Sequence, residues 1–235
     1  MNWNDYKFHP SSLGALMTEP RLKSETLSET CKAHLMECYV ERAYGRKKEI
    51  TNKYIEKGIQ CEEDSLTLYS RVMKTFYKKN RQVYENEYLI GTPDIITEDD
   101  VIEIKTSWDI FTFHQVLHKA INKDYFWQVQ AYMELTEKKR AKLVYCLVDA
   151  TPEMVEDAKK KLSWQMKVID DAVDQSYIEA CANIDKSMTF GDIPIEERYL
   201  QITIDRDDDL IEKAHDRIDV CRVFLNKLTD KPVLV

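Results

Sequence analysis

Two carboxylates and an ammonium group, Asp94, Glu103 and Lys105, fall in the stretch GTPDIITEDDVIEIK that begins at Gly91. Their neighbours Ile95, Ile96, Val101, Ile102 and Ile104 are residues of short buried strands, whereas Asp, Glu and Lys are rarely buried without partners. Side chains alternate along a strand, so Val101, Glu103 and Lys105 share one face and Ile102 and Ile104 the other. With Glu98-Asp99 as the central residues of a hairpin turn, Asp94 falls opposite Glu103, at a Cβ separation of about 5 Å. Two carboxylates that close repel unless a proton or a cation joins them. Mg²⁺ suits such a pair, because it takes a few carboxylates together with water and phosphate oxygens. Beside it, Lys105 would hold an attacking water or stabilise charge developing on a phosphate. Taken alone, Glu-Ile-Lys also fits an exposed strand face with a weak ion pair.

Those residues need a scaffold, and the apolar periodicity supplies its outline. Ser11-Ser12 reads as the N-cap of a helix beginning near Leu13 and ended by Thr18-Glu19-Pro20. Helical patterns follow over 28–44 and 51–79, then strands over 82–89, 91–97 and 101–106. Residues 108–121 are aromatic and irregular or partly helical, 125–137 form a helix, and the apolar run KLVYCLV over 142–148 is a buried strand. Thr151-Pro152-Glu153 opens a long helix to about 182, a short strand covers 200–204, and 207–228 is a final helix.

Three pieces of sequence, in this order, carry a resemblance. Gly91-Thr92-Pro93-Asp94 followed by Glu103-Ile104-Lys105 resembles the PD-(D/E)XK nuclease superfamily. Gly58 to Glu62 is similar to the G-x-x-x-E of lambda-exonuclease-like and YqaJ-type viral recombinases, and Gln128 to Tyr132 to their Q-x-x-x-Y. The resemblance covers residues 11 to 148. It implies a mixed α/β (α+β) fold with a restriction-endonuclease-like core, a central mixed sheet flanked by helices. It implies Asp94, Glu103, the Ile104 carbonyl and Glu62 as ligands of Mg²⁺, with Mn²⁺ able to substitute and Glu63 the alternative to Glu62. Lys105 is then catalytic, and Gln128 organises the nucleophile or Lys105. Gln128 and Tyr132, four apart, share a helix face, while Gln130 points elsewhere. Ser11 and Ser12 resemble a serine-containing start that helps hold DNA, although capping alone also explains them.

Charge distribution bears on the partner. The net charge of −8 is unusual for a protein that meets phosphate, yet residues 42–81 hold eleven Lys or Arg against five acids, while the segment from 151 holds twelve against nineteen. Lys74, Lys78 and Lys79, on the basic helices, are the expected DNA contacts, with Tyr132. His114 and His118 are spaced for a metal but lack a third ligand. Trp108, Phe111 and Phe113 are either core or a wedge against a terminal base pair. Six scattered cysteines without a C-x-x-C pair suggest reduced, mostly buried thiols and no iron–sulfur cluster. No apolar run is long enough for a membrane span and no leader pattern opens the chain, which places it in the cytoplasm, the host's if viral.

The resulting expectation is a nuclease core over 1–150 and a mainly helical extension over 151–235, acting as a metal-dependent exonuclease on double-stranded DNA ends in viral or prophage recombination. A structure-selective endonuclease and an inactive DNA-binding or assembly protein are the alternatives. Lambda-type relatives form rings and work with a single-strand annealing protein, so the resemblance implies a homo-oligomer and such a partner, which no residue here requires.

Overall fold

The computed structural model describes residues 1–48, 52–168 and 174–229. A 3-10 turn, Pro10–Ser12, leads into α1 (Leu13–Leu16). The expected serine cap does not form: Ser12 is itself helical, and its hydroxyl donates to the His9 carbonyl at 2.7 Å. α2 (Glu29–Tyr44) is capped by Ser28, which accepts from the Cys31 amide, and ends at Gly45 with φ 64°, where a side chain would be strained.

The helix expected over 51–79 is divided, and its first residue, Thr51, lies outside the described residues. α3 (Lys53–Gln60) is capped by Asn52; Cys61 leaves helical geometry; α4 (Glu62–Val72) then starts with Glu62, Glu63 and Asp64 in its first turn. Three acids suit the unpaired N–H groups of a new helix start, and the buried Cys61 thiol donates to the Asp149 carbonyl at 3.4 Å. Lys74 has φ 50°, which ends the helical run. Lys74, Lys78 and Lys79 therefore stand on an irregular segment beyond α4 and not on a helix, a correction to the expected placement.

The strands expected over 82–89 and 91–97 shrink to β1 (Tyr84–Glu85), β2 (Ile90–Gly91) and β3 (Ile95–Ile96). The Asn86 side chain accepts from the amides of Tyr88 and Leu89, closing a turn between β1 and β2, and Pro93 has no N–H to give a ladder. β4 (Asp100–Thr106) pairs with β3 in the anticipated register, Ile95 with Ile102 and Ile96 with Val101. α5 (Ile110–Gln115) and α6 (Lys123–Leu135) lead to β5 (Arg140–Cys146), parallel to β4.

The helix expected over 151–182 is also divided. α7 (Pro152–Met166) stops at Lys167, φ 55°; residues 169–173 lie outside the described residues; α8 (Gln175–Met188) is capped by Asp174. The two lie side by side, with Lys159 on Asp185 at 2.7 Å and the Tyr177 hydroxyl donating to the Lys159 carbonyl at 3.2 Å. β6 (Tyr199–Asp205) runs antiparallel to β5 and α9 (Asp208–Thr229) follows.

The main sheet thus has the order β3-β4-β5-β6, with mixed directions, and is covered by helices. On one face Ile95, Ile102, Val144 and Cys146 pack with Leu68 and Tyr69 of α4. On the other, Val101, Leu143 and Tyr145 pack with Val129 and Met133 of α6. Each fully buried aliphatic side chain contributes about 1.5–3 kcal/mol of burial energy. The chain after residue 150 supplies the fourth strand and α9, whose Ile218, Cys221 and Leu225 pack with Leu13, Leu16 and Leu35. Gln130 locks this junction, donating to the Asp205 carbonyl at 2.9 Å and accepting from the Asp207 amide at 3.0 Å. Among the described residues no helix is long and apolar enough to cross a membrane. All six cysteines are free, five buried and Cys181 partly so.

Candidate active site

β4 alternates as its sequence requires. Ile102 goes to the α4 side, so Glu103 and Lys105 face α6, where Gln128 sits buried on the helix. These three close a triangle: Lys105 donates to Glu103 Oε1 at 2.7 Å and to Gln128 Oε1 at 2.9 Å, while Gln128 Nε2 donates to Glu103 Oε1 at 2.9 Å. The Lys105 ammonium also lies 4.4 Å from the centre of the Tyr125 ring. Burial opposes the Lys105 charge, but the charge and hydrogen bond of Glu103 outweigh it and hold the pKa above the usual lysine value. Glu103 is only 5 % exposed, and its second oxygen, Oε2, is buried with no hydrogen-bond partner among the described residues. An unsatisfied buried carboxylate oxygen is costly, and a cation would satisfy it.

Asp94 arrives from the other arm of the hairpin. Its carboxylate accepts the Ile104 amide at 2.8 Å, so the side chain does what a ladder carbonyl would do in a longer strand. Burial, then the Glu103 charge, push its pKa up to about 7, against the Ile104 amide and Lys105. The backbone around it is fixed twice. Asn80 donates its amide to the Asp94 carbonyl at 2.7 Å and its Nδ2 to the Pro93 carbonyl at 3.0 Å. Tyr132, expected at the DNA, is instead buried, its hydroxyl donating to the Thr92 carbonyl at 3.2 Å. Gly91 permits this approach, since a Cβ there would lie 2.7 Å from Pro10 and 3.1 Å from the Tyr132 ring.

Glu62 lines the same cleft as Asp94, Glu103, Ile104 and Lys105. Its carboxylate is held by Lys79 at 2.6 Å, and among the described residues no three His, Cys, Asp or Glu side chains converge as a metal site. Glu63 faces a separate basic groove with Lys74, Lys78 and Lys79, so Glu62 rather than the alternative belongs to the cleft. Ser11 is exposed and Ser12 turns its hydroxyl back onto His9. The three aromatics after Lys105 part company: Phe113 is core, Trp108 lines the cleft, and Phe111 is exposed beside His114 and His118 in another groove.

Three positions escaped the sequence reading. Asn80 has no motif around it. Tyr125 lies one helical turn before Gln128, a spacing that places it on the same face. Lys57, the residue before Gly58, is buried, donates to the Trp108 carbonyl at 2.8 Å, and has its pKa lowered to about 8 by burial.

An Asp on a hairpin arm, Glu-x-Lys on a central strand and a Gln on the following helix, all turned into one cleft, define a core of the PD-(D/E)XK nuclease superfamily. The chain belongs to the family of the YqaJ-like viral recombinase domain, which matches residues 11–139. A phage-related exonuclease from Haemophilus somnus 129PT superposes with a TM-score of 0.74 at 26% identity, over 96% of each chain. An alkaline exonuclease from Laribacter hongkongensis superposes with a TM-score of 0.62 at 15% identity, over 96% of this chain and 92% of its own. The same exonuclease in complex with dAMP gives a TM-score of 0.60 at 17% identity, over 94% of this chain and 88% of its own. No curated protein matches the sequence. Family and neighbours together support a nuclease role.

Proposed function

We propose that this chain is a divalent-metal-dependent deoxyribonuclease, an exonuclease that resects double-stranded DNA ends in viral or prophage recombination. The observation that carries the reading is the Lys105–Glu103–Gln128 triangle beside Asp94, with one Glu103 oxygen buried and unpartnered among the described residues. Asp94, Glu103, the Ile104 carbonyl and Glu62 are the groups that would hold Mg²⁺, with Mn²⁺ as substitute. The donor set fits, being all oxygen, with two close carboxylates, of which Glu103 has one oxygen without a partner among the described residues and Asp94 is held above its usual pKa. When bound, the ion supplies Lewis-acid polarisation of the phosphate and a more acidic water.

The chain's own residues do the rest. Asp94 and Glu103 would hold the ion, since carboxylates alone repel a phosphate. In the metal-free site Glu103 holds the Lys105 pKa above its usual value, and an ammonium there is suited to stabilising negative charge on the phosphate oxygens in the transition state. Gln128 orients it, holding both Lys105 and Glu103. End-directed action is favoured by the exonuclease neighbours, one of them solved with dAMP. An annealing protein, a homo-oligomer, and a segment after residue 150 that packs on the nuclease core and adds β6 and α9 to it complete the reading, with the host cytoplasm as its setting.

Equal masses of linear, nicked and closed circular plasmid, incubated with Mg²⁺ and followed by release of acid-soluble nucleotide, test it. Linear duplex should be degraded progressively while closed circles survive. Rapid linearisation of closed circles points to an endonuclease, and no hydrolysis with Mg²⁺ or Mn²⁺ to a binding protein.

A further inference from the structure

The segment after α4 carries groups that the catalytic cleft does not use, and it is held rigidly. Beyond the left-handed Lys74, the Thr75 amide donates to the Ser70 carbonyl at 3.0 Å and the Tyr77 amide to the Ser70 hydroxyl at 3.3 Å. The Tyr77 ring stacks on Tyr69 at 5.1 Å and 13°. At the far end Asn80 is bonded to Pro93 and Asp94. Tyr77 packs against the core through Tyr69, whereas its neighbour Phe76 is 89 % exposed. A single exposed apolar side chain is ordinary on a protein surface, so exposure alone gives no reason to single out Phe76.

Its surroundings give the reason. Phe76 lines a groove with Arg71, Lys74, Lys78, Lys79 and Arg81, and among the described residues Glu63 is the one acid there. Five cations lining one groove with an exposed ring suit a polyanion that also offers flat apolar faces, which is nucleic acid with unpaired bases. Internal duplex hides its base faces in the stack and offers only phosphates. The groove adjoins the cleft, since Lys79 is paired with the cleft residue Glu62 and Asn80 with Asp94.

We propose that Phe76 is a stacking platform for unpaired bases at a DNA end, and that the cations around it hold the adjoining phosphates, so that this groove prefers an overhang or frayed terminus to internal duplex. The proposal deepens the nuclease reading and rests on it for the nature of the polymer.

Binding of the intact protein is measured in EDTA, without cleavage, to a closed dumbbell duplex, a blunt hairpin, and a hairpin with a short overhang carrying 2-aminopurine. Wild type should prefer the overhang and change the 2-aminopurine fluorescence on binding. Phe76→Ala should lose about 10-fold in affinity for the overhang, lose that fluorescence change, and leave dumbbell affinity unaltered, with Phe76→Trp restoring both. Lys78→Ala with Lys79→Ala should weaken all three DNAs. If the lysine variants weaken every DNA while Phe76→Ala behaves as wild type on the overhang, the stacking proposal falls and the nuclease reading survives. Equal loss on dumbbell and overhang by Phe76→Ala also overturns it. If wild type binds none of the DNAs, the proposal falls, and nuclease activity from the plasmid assay decides the other reading separately.

Discussion

Lys79 holds Glu62 in an ion pair of 2.6 Å, so a residue of the basic groove restrains an acid of the catalytic cleft. Both side chains are more than a third exposed, which makes the pair weak, on the order of 0–1 kcal/mol. A DNA phosphate drawn to Lys79 would release Glu62 toward Asp94 and Glu103. Lys79→Ala should therefore bind Mn²⁺ about 2- to 5-fold more tightly than wild type without DNA, and the gap should close when DNA is bound. Calorimetric titration of both proteins, alone and with a hydrolysis-resistant phosphorothioate duplex, reads this. Equal affinities without DNA would mean that Lys79 places no restraint on the site.

Asp94 should destabilise the metal-free fold at neutral pH. Its pKa is raised from 3.8 to about 7, so below about 4 it is protonated in both folded and unfolded chains and adds no pH-dependent term. Between 4 and 7 the unfolded chain releases its proton while the folded one retains it, and stability is lost as pH rises. Asp94→Asn keeps an oxygen to accept the Ile104 amide and cannot ionise. It should be more stable than wild type by about 1–3 kcal/mol at pH 8 in EDTA, with the difference shrinking toward pH 5, while cleavage is abolished. Urea unfolding at the two pH values checks this.

Lys105 and Gln128 should differ in kind. Lys105→Ala removes the cation facing the phosphate, and should lower kcat by about 10²–10³-fold with DNA affinity spared. Gln128→Ala leaves that cation but frees it to move, and should cost about 10- to 100-fold in kcat. Because they act through one triangle, the double variant should lose little more than Lys105→Ala. Single-turnover rates on linear duplex give both numbers. A loss of affinity alone in Lys105→Ala would make it a phosphate anchor.

The parts of this site that the sequence reveals are those governed by short-range periodicity. Alternation along β4 puts Glu103 and Lys105 together, and the two-residue turn at Glu98-Asp99 sets the register that brings Asp94 opposite. The four-residue spacing of Gln128 and Tyr132 gives their shared face, but not that Tyr132 turns inward, because that depends on Gly91 leaving room beside Pro10. The helix breaks at Cys61 and Lys74 were hidden for a related reason. Neither is a Gly or Pro, and apolar residues continue through both, so tertiary bonds decide the break.

Asn80 shows what lies beyond periodicity, and its removal is the last test. It touches no candidate metal ligand with its side chain, yet its Nδ2 holds the Pro93 carbonyl at 3.0 Å and its amide the Asp94 carbonyl at 2.7 Å. Its Nδ2 also donates to the Gln82 carbonyl at 3.0 Å and its Oδ1 accepts the Gln82 amide at 3.1 Å, which fixes the bend that makes these bonds possible. Asn80→Ala keeps the backbone amide and loses the side-chain bonds, so Asp94 should stay near its place but less firmly held. A shift of well under 1 Å in a ligand is enough to weaken metal binding, so the metal concentration for half-maximal rate should rise about 10-fold. At saturating Mg²⁺ kcat should recover to within a few-fold of wild type, because Lys105 and Gln128 are untouched. A variant whose rate fell equally at all metal concentrations would instead show that Asn80 supports the fold of the basic segment, and circular dichroism with DNA-binding titration would locate the damage there.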